Sequence, residues 1–408
     1  LMTIVSNTDL WMFVSSAGGL TAGRVEAANS IFPYETEDRL HHVAGRVGPI
    51  TVLRVERGPE VHVWEPFTGT GERRRRNLYK SLLGNAVLFE EEHLDIGLTF
   101  RYRWAPSDRF GWVRTASIAN GDSQPPTTVG VVDGLLDLMP WGLGVALQQQ
   151  LSNLANAYRR SEIVDPGLGI YTVEAMMVDR PEPAEALRAT TVWATGLDAS
   201  RIGVDPSTVV GARRGDPLEP ASLRTGRPGS FLLDATLELG PGQSRRWYIV
   251  ADAAQSHADV ARVRNLLRGN ESLVRQIEDD IAGSASELRN IVARADGLQH
   301  TASSKIDAHH LAYTLFNVMR GGAVLRGYAV AADRFRSFVT DRNREVAQRH
   351  ADWLEHLPES LDVADLRHQA AEQGDPNLVR LAAEYLPLAF SRRHGDPSRP
   401  WNHFAIRV

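Results

Sequence analysis

Phe231-Leu232-Leu233-Asp234-Ala235-Thr236-Leu237-Glu238-Leu239 is the stretch whose reading decides the fold. Phe231, Leu233, Ala235, Leu237 and Leu239 alternate with Leu232, Asp234, Thr236 and Glu238, so an extended chain turns one apolar face inward and one mostly polar face outward. Short runs of the same kind, rich in Val, Ile, Thr and aromatics, lie at residues 50–56, 60–64, 86–92, 98–104, 112–119, 127–133, 170–178, 189–194 and 244–251. Gly, Pro, Asn and Asp clusters separate them, which is strand and turn grammar. No helical segment recurs between the strands, so the pattern predicts antiparallel sheets stacked as a large sandwich rather than a parallel α/β sheet. Only residues 141–161 interrupt it, with a Gln-rich, apolar-spaced run that reads as one long excursion or a short helix over an edge.

The pattern changes after Asp252. Val260, Val263, Leu266 and Leu267, then Leu273, Ile277 and Ile281, then Leu288, Ile291 and Val292 recur at three- and four-residue steps, as in amphipathic helices. A further helix is expected over 306–320, with Leu311, Leu315, Val318 and Met319 on one stripe and Gly321-Gly322 as its stop. Two more are expected over 334–357 and 363–386, closed by Pro358 and Pro387. The last eighteen or so residues, 391–408, are too rich in Pro and Gly for another helix. The chain thus divides into an antiparallel sandwich at 1–254, a helical linker at 255–300 and a helical region at 301–408.

Composition bounds the function. At 408 residues the chain exceeds the size at which a single core stops growing, and 43% hydrophobic with 23% charged residues is ordinary globular material. Lys and Arg (45) nearly balance Asp and Glu (50), leaving a net charge of -5, so no basic field exists to hold nucleic acid or an anionic membrane. With no Cys there is no disulfide, thiolate metal site or cysteine nucleophile. No apolar run reaches the length of a membrane span, and the opening stretch lacks the basic flank of a signal peptide. A cytoplasmic location is expected, or the periplasm if a leader has been removed. No cofactor is implied.

No complete catalytic constellation stands out. Ser15 to Arg24, with Gly18, Gly19 and Gly23, could cradle an anion at Arg24, but it lacks the Gly-Lys-Ser/Thr ending of a nucleotide loop and reads first as a sharp hairpin. His41-His42, Asp307 with His309 and His310, and His394 with Asp396 supply no recognised metal spacing. Glu90-Glu91-Glu92 invites a general acid and base reading, although a strand places Glu91 opposite its neighbours and Arg101 and Arg103 explain a solvated charged face. Among the aromatics, Trp11, Tyr34, Trp64 and Trp401 have polar or turn neighbours and are the expected sugar-stacking rings. The densest concentration of functional residue types is Arg392, Arg393, His394, Asp396, Arg399, Trp401 and Asn402, which could line an anion- or sugar-binding pocket or form an ion-paired loop.

The order of parts resembles the N-terminal half of the cellobiose phosphorylase type of glycoside phosphorylases and related cyclic glucan synthases. The motifs that carry the resemblance are Trp11-Met12-Phe13-Val14-Ser15-Ser16 through Gly23-Arg24, Phe32-Pro33-Tyr34, Trp64-Glu65-Pro66-Phe67, Arg76-Asn77-Leu78-Tyr79-Lys80 and the tail over 391–402. The resemblance implies a β-supersandwich, a helical linker and the start of an (α/α)6 barrel. In those phosphorylases the general acid and the phosphate-binding residues lie in the barrel, so no catalytic residue carries over. It implies the non-catalytic portion of a carbohydrate-processing enzyme that helps shape a glycan site, with an oligosaccharide or polysaccharide, a second copy of the chain or a C-terminal catalytic domain as partner. The alternatives are a stand-alone carbohydrate-binding or scaffold protein, and a self-contained glycoside hydrolase whose carboxylate pair the sequence does not reveal.

Overall fold

In the computed structural model the stretch at 231–239 is part of an inner strand of one of two large sheets. The structure describes residues 1–36, 38–69, 73–175, 187–269, 272–294, 297–298, 300, 302–319, 323–324, 329–385 and 388–389. They form two compact units, Leu1–Glu287 and Leu288–Val408.

In the first unit β1 (Met2–Ile4), β2 (Leu10–Val14) and β3 (Leu20–Arg24) form a small antiparallel sheet. Then come β4 (Gly48–Arg57), β5 (Glu60–Trp64), β6 (Arg74–Lys80), β7 (Val87–His93), β8 (Leu98–Ser107), β9 (Gly111–Asn120) and β10 (Thr127–Leu138). Two short helices, α1 (Val145–Gln149) and α2 (Ser152–Ala157), precede β11 (Arg159–Val164), β12 (Leu168–Val173), β13 (Arg188–Thr195) and β14 (Arg201–Gly203). Helix α3 (Thr208–Arg213) is followed by β15 (Leu223–Thr225), β16 (Gly229–Leu239) and β17 (Ser244–Ser256). Helices α4 (His257–Leu267) and α5 (Leu273–Arg294) come next. The large sheets have the orders β14-β16-β10-β4-β5 and β15-β11-β12-β13-β17-β9-β8-β7-β6. Among the described residues every strand pairing is antiparallel, as the sequence predicts.

One core fills the space between the sheets. Leu53, Val131, Phe231 and Leu233 of the five-stranded sheet meet Phe100, Trp104, Trp112 and Trp247 of the nine-stranded sheet, with Met12 and Leu20 of the small sheet joining them. The outward faces are only partly polar. Leu232, which alternation sends away from this core, is buried with Ile50 and Val132 under Val209 and Ala212 of α3. The far face of the nine-stranded sheet is covered likewise: Trp193, Tyr248 and Val250 pack against Leu273, Ile277 and Ile281 of α5. This two-sided burial explains why the run from Trp247 to Ala251 is apolar without alternation. Helix α4 opens on a capping box, in which the Ser256 hydroxyl accepts from the Asp259 backbone N–H and the Asp259 carboxylate accepts from that of Ser256.

Between the sheets lies a fully buried polar knot. Asp133 of β10 accepts from Arg114 Nη1 (2.6 Å), Trp247 Nε1 (2.6 Å) and Thr51 Oγ1 (2.6 Å), and Arg114 also donates to Thr51 (3.1 Å). Arg114 and Asp133 are both fully buried. The pair links β9 of one sheet to β10 of the other.

The second unit contains α6 (Ser304–Met319), β18 (Ala323–Val324), β19 (Ala329–Ala331), α7 (Ala332–Arg342), α8 (Arg344–Arg349), α9 (Ala351–His356), β20 (Ser360–Asp362), α10 (Val363–Glu372), α11 (Pro376–Glu384) and β21 (Leu388–Ala389). A core of Phe335, Val339, Val346, Leu366, Leu378 and Leu381 joins α7, α8, α10 and α11. The helices expected over 334–357 and 363–386 are each broken. Asn343 leaves helical geometry with φ -153° and caps α8, and Asp375 followed by Pro376 starts α11 afresh. Among the described residues no helix is long and apolar enough to cross a membrane.

Candidate functional site

The residues that form a cleft in the first unit are positioned by two anchors. Past β3 the chain plants Ile31 and Phe32, both fully buried, into the sandwich core, with Phe32 set edge-on to Trp104 at 6.2 Å. That fixes Pro33, Tyr34 and Glu35 at the margin of the sandwich. Opposite them, β10 ends in a break of register against β16 between Leu135 and Leu138. Within this irregularity Asp137 adopts left-handed geometry with φ 50°, and bulges of this kind re-aim a side chain at sheet margins.

Helix α1 ties the two walls together through one side chain. Gln148 Nε2 donates to the carbonyls of Ala27 (2.8 Å) and Leu143 (2.5 Å), while its Oε1 accepts from Tyr34 N (2.7 Å) and Ser30 Oγ (3.2 Å). Gln149 donates to the Tyr34 carbonyl (2.9 Å). The Gln-rich run is therefore the stitching of this region, a role that its spacing alone does not reveal.

The resulting cleft has a volume of about 550 Å³ and is lined by Glu35, Arg39, His42, Arg46, Asp137 and Arg159, with an aliphatic wall that includes Val43, Val47, Leu143 and Leu147. That volume lies within the range of ligand sites. Arg159 is nearly buried, and both of its terminal nitrogens are engaged while its Nε has no hydrogen-bond partner. It donates to Asp137 Oδ1 (2.8 Å), the Leu138 carbonyl (2.8 Å) and Asn156 Oδ1 (2.9 Å). Glu35 is different: its Oε2 is buried without a hydrogen-bond partner, and the nearest cation, Arg39 Nη1, lies 3.9 Å away. Burial pushes the Glu35 carboxyl above its ordinary value; Arg39 opposes this, and the charges of Asp38 and Asp137 add to it. The cleft thus joins a carboxyl biased toward its protonated form to a carboxylate held by an arginine.

The sequence-predicted residues fall elsewhere. Trp11 and Tyr34 are buried against each other, edge to face at 5.9 Å, in a small cluster with Ala27. Trp64 is fully buried, and its Nε1 donates to Glu91 Oε1 (2.8 Å). None of these three rings has an open face on which a sugar could stack. Arg24 is an internal clamp: Nη1 meets Asp9 at 2.5 Å, and Nε and Nη2 fork onto Asp252 at 2.6 and 3.2 Å. Burial lowers the Arg24 guanidinium, but Asp252 and Asp9 outweigh it and leave the net shift upward. The glycines before Arg24 serve the β2–β3 hairpin, where Ser15 N donates to the Gly19 carbonyl at 2.8 Å. Arg392, Arg393, His394, Asp396, Arg399, Trp401 and Asn402 lie outside the described residues, as do Gly321, Gly322 and Pro387.

The acidic triplet divides. Glu90 accepts from Asn77 and Arg101 on an outer face, whereas Glu91 is completely buried and accepts from Trp64, the Phe67 backbone (2.7 Å) and Arg76 (2.7 Å). The described residues contain no group of three or more His, Asp or Glu arranged to hold a metal ion.

Comparison with known proteins adds a local match. Residues 326–387 match the sequence model of glycoside hydrolase family 149 insertion domain 1. They coincide with the small helical core around Phe335 and Leu381. A search of curated proteins finds no match. Similar solved structures include a bacterial glucoamylase complexed with acarbose, at 10% identity and TM-score 0.44, covering 90% of this chain and 54% of that one. Another is a protein from the human microbiome provisionally assigned as a kojibiose phosphorylase, at 9% identity and TM-score 0.34, covering 81% of this chain and 36% of that one. A polysaccharide lyase is similar at 12% identity and TM-score 0.33, covering 63% of this chain and 34% of that one. The chain therefore spans between about a third and about half of the length of these structures.

Proposed function

We propose that this chain is the non-catalytic β-sandwich and linker portion of a carbohydrate-processing enzyme of the glycoside phosphorylase or hydrolase type, contributing to glycan binding and assembly. The observation that carries this reading is the match of residues 326–387 to an insertion domain of a glycoside hydrolase family. The antiparallel sandwich at 1–254, the linker at 255–300 and the helical region at 301–408 supply the framework in this reading. An oligosaccharide or polysaccharide is the ligand. The test is the melting temperature of the whole chain with short soluble oligosaccharides of varied linkage. A ligand at about a hundred times its Kd stabilises the folded state by about 2.7 kcal/mol, so a rise of several degrees is expected with at least one sugar; no rise with any counts against glycan binding.

A second reading, a self-contained hydrolase, is favoured by one observation: Glu35 and Asp137 line a common cleft and differ in environment. It requires that the purified chain release reducing sugar and that Glu35→Gln abolish the release.

A further inference from the structure

We infer that the cleft between residues 33–47 and 137–159 receives the uncharged end of an oligosaccharide, with the Glu35 carboxyl hydrogen-bonded to a sugar hydroxyl and Asp137 beside it. This rests on the carbohydrate reading above and adds the site, the contact and the charge of the ligand. Its first support is the unpartnered oxygen. Glu35 Oε2 is out of contact with solvent, has no donor, and stands 3.9 Å from Arg39, beyond hydrogen-bond length. Leaving such a group unsatisfied is costly, and a hydroxyl entering the cleft supplies the missing donor.

The second support is charge. The interior cation, Arg159, already serves Asp137, Asn156 and a backbone carbonyl. Only its Nε–H is left unpartnered, short of the paired N–H groups that fork onto a sulfate, phosphate or uronate, which would also meet the Glu35 and Asp137 oxygens. Arg39 and Arg46 are exposed cations at the rim rather than in the interior. The third support is the aliphatic wall, where Val47 and Leu143 are buried and Leu147 partly so, a surface suited to the C–H faces of a sugar ring. Burial also biases Glu35 toward its protonated form, which can both accept from and donate to a hydroxyl.

Isothermal titration of the whole chain with short neutral gluco-oligosaccharides, uronate oligosaccharides and inorganic phosphate tests this. A neutral sugar should bind, with about tenfold weaker affinity for Glu35→Leu, as loss of one hydrogen bond to a carboxyl implies. Leu147→Trp, which fills the cleft, should abolish binding, and Arg46→Ala should change it less than twofold. Glu35→Ala replaces Glu35→Leu if the latter does not fold. Preferential binding of uronate or phosphate overturns the inference. Neutral sugar binding that neither cleft variant weakens also overturns it but leaves the carbohydrate reading standing, whereas absence of binding by every sugar removes both.

Discussion

Replacing Asp133 by Ala should be among the most damaging single changes in the sandwich. The carboxylate accepts three hydrogen bonds of 2.6 Å, from Arg114, Trp247 and Thr51, and both it and Arg114 are fully buried. Its removal leaves a guanidinium sealed between two sheets with the hydrogen bond to the Thr51 hydroxyl and the Tyr102 ring, 5.0 Å from its centre, in place of a counter-charge. Breaking a buried pair by removing one partner costs about 3–5 kcal/mol, because an uncompensated charge remains. At about 2–4 °C per kcal/mol for a domain of this size, melting should fall by roughly 6–20 °C. Urea unfolding followed by tryptophan emission is the assay, since seven of the nine Trp lie in the first unit; the midpoint should move with little change in slope. The double variant Arg114→Met, Asp133→Leu should lose less than the sum of its parts, with a coupling of about 2 kcal/mol or more, as expected for contacting buried charges. A loss below about 1 kcal/mol for Asp133→Ala, or strict additivity, would refute the claim that this knot holds the sheets together.

Three further outcomes follow from individual contacts. A Cβ at Gly134, in the middle of β10, would sit 2.0 Å from the Phe231 carbonyl oxygen, so Gly134→Ala should destabilise by about 1–3 kcal/mol in the same urea assay, and a neutral result would contradict the close approach. Arg24→Ala strands the buried Asp252 carboxylate and should cost about 2 kcal/mol or more, less for Arg24→Lys, with calorimetry as the check. In the helical unit the Asp375 carboxylate is held down to about 2 by hydrogen bonds from His350 and from the Asn377 backbone N–H, then by Arg349. A depressed carboxylate stabilises fully above its unfolded value near 4 and loses that contribution as pH falls toward 2. Circular dichroism across this window should show Asp375→Asn with a smaller acid-induced loss than the parent chain; an identical acid transition would show that Asp375 contributes nothing.

The sequence makes the strands legible because one face of each must be apolar, and β16 follows that rule from Ala235 to Leu239. It fails at Leu232, because burial on both sides erases the alternation and the covering helix α3 is too short to show a period. Polar partners distant along the chain are the larger gap. Strand alternation turns Glu91 away from Glu90 and Glu92 but does not show that it is buried until Trp64 and Arg76 come to meet it, and Asp133 looks like any strand aspartate until Arg114 does. Trp11, Tyr34 and Trp64 have polar neighbours in sequence yet pack inside, since neighbours along a strand or loop need not share its face. The cleft escapes notice for the same reason: Glu35, Asp137 and Arg159 come from three separate segments and match no motif. Only the Gln148-Gln149-Gln150 run hinted at that region, and its role depends on backbone groups of residues 27–34.

The central claim, that this chain is the non-catalytic portion of a carbohydrate-processing enzyme, is tested most directly by the mass of the native gene product, isolated from its source cell and measured by intact mass spectrometry. The account predicts a polypeptide much larger than the 45.0 kDa of these 408 residues. A native product of about 45.0 kDa would contradict it and leave a stand-alone binding protein or a self-contained enzyme.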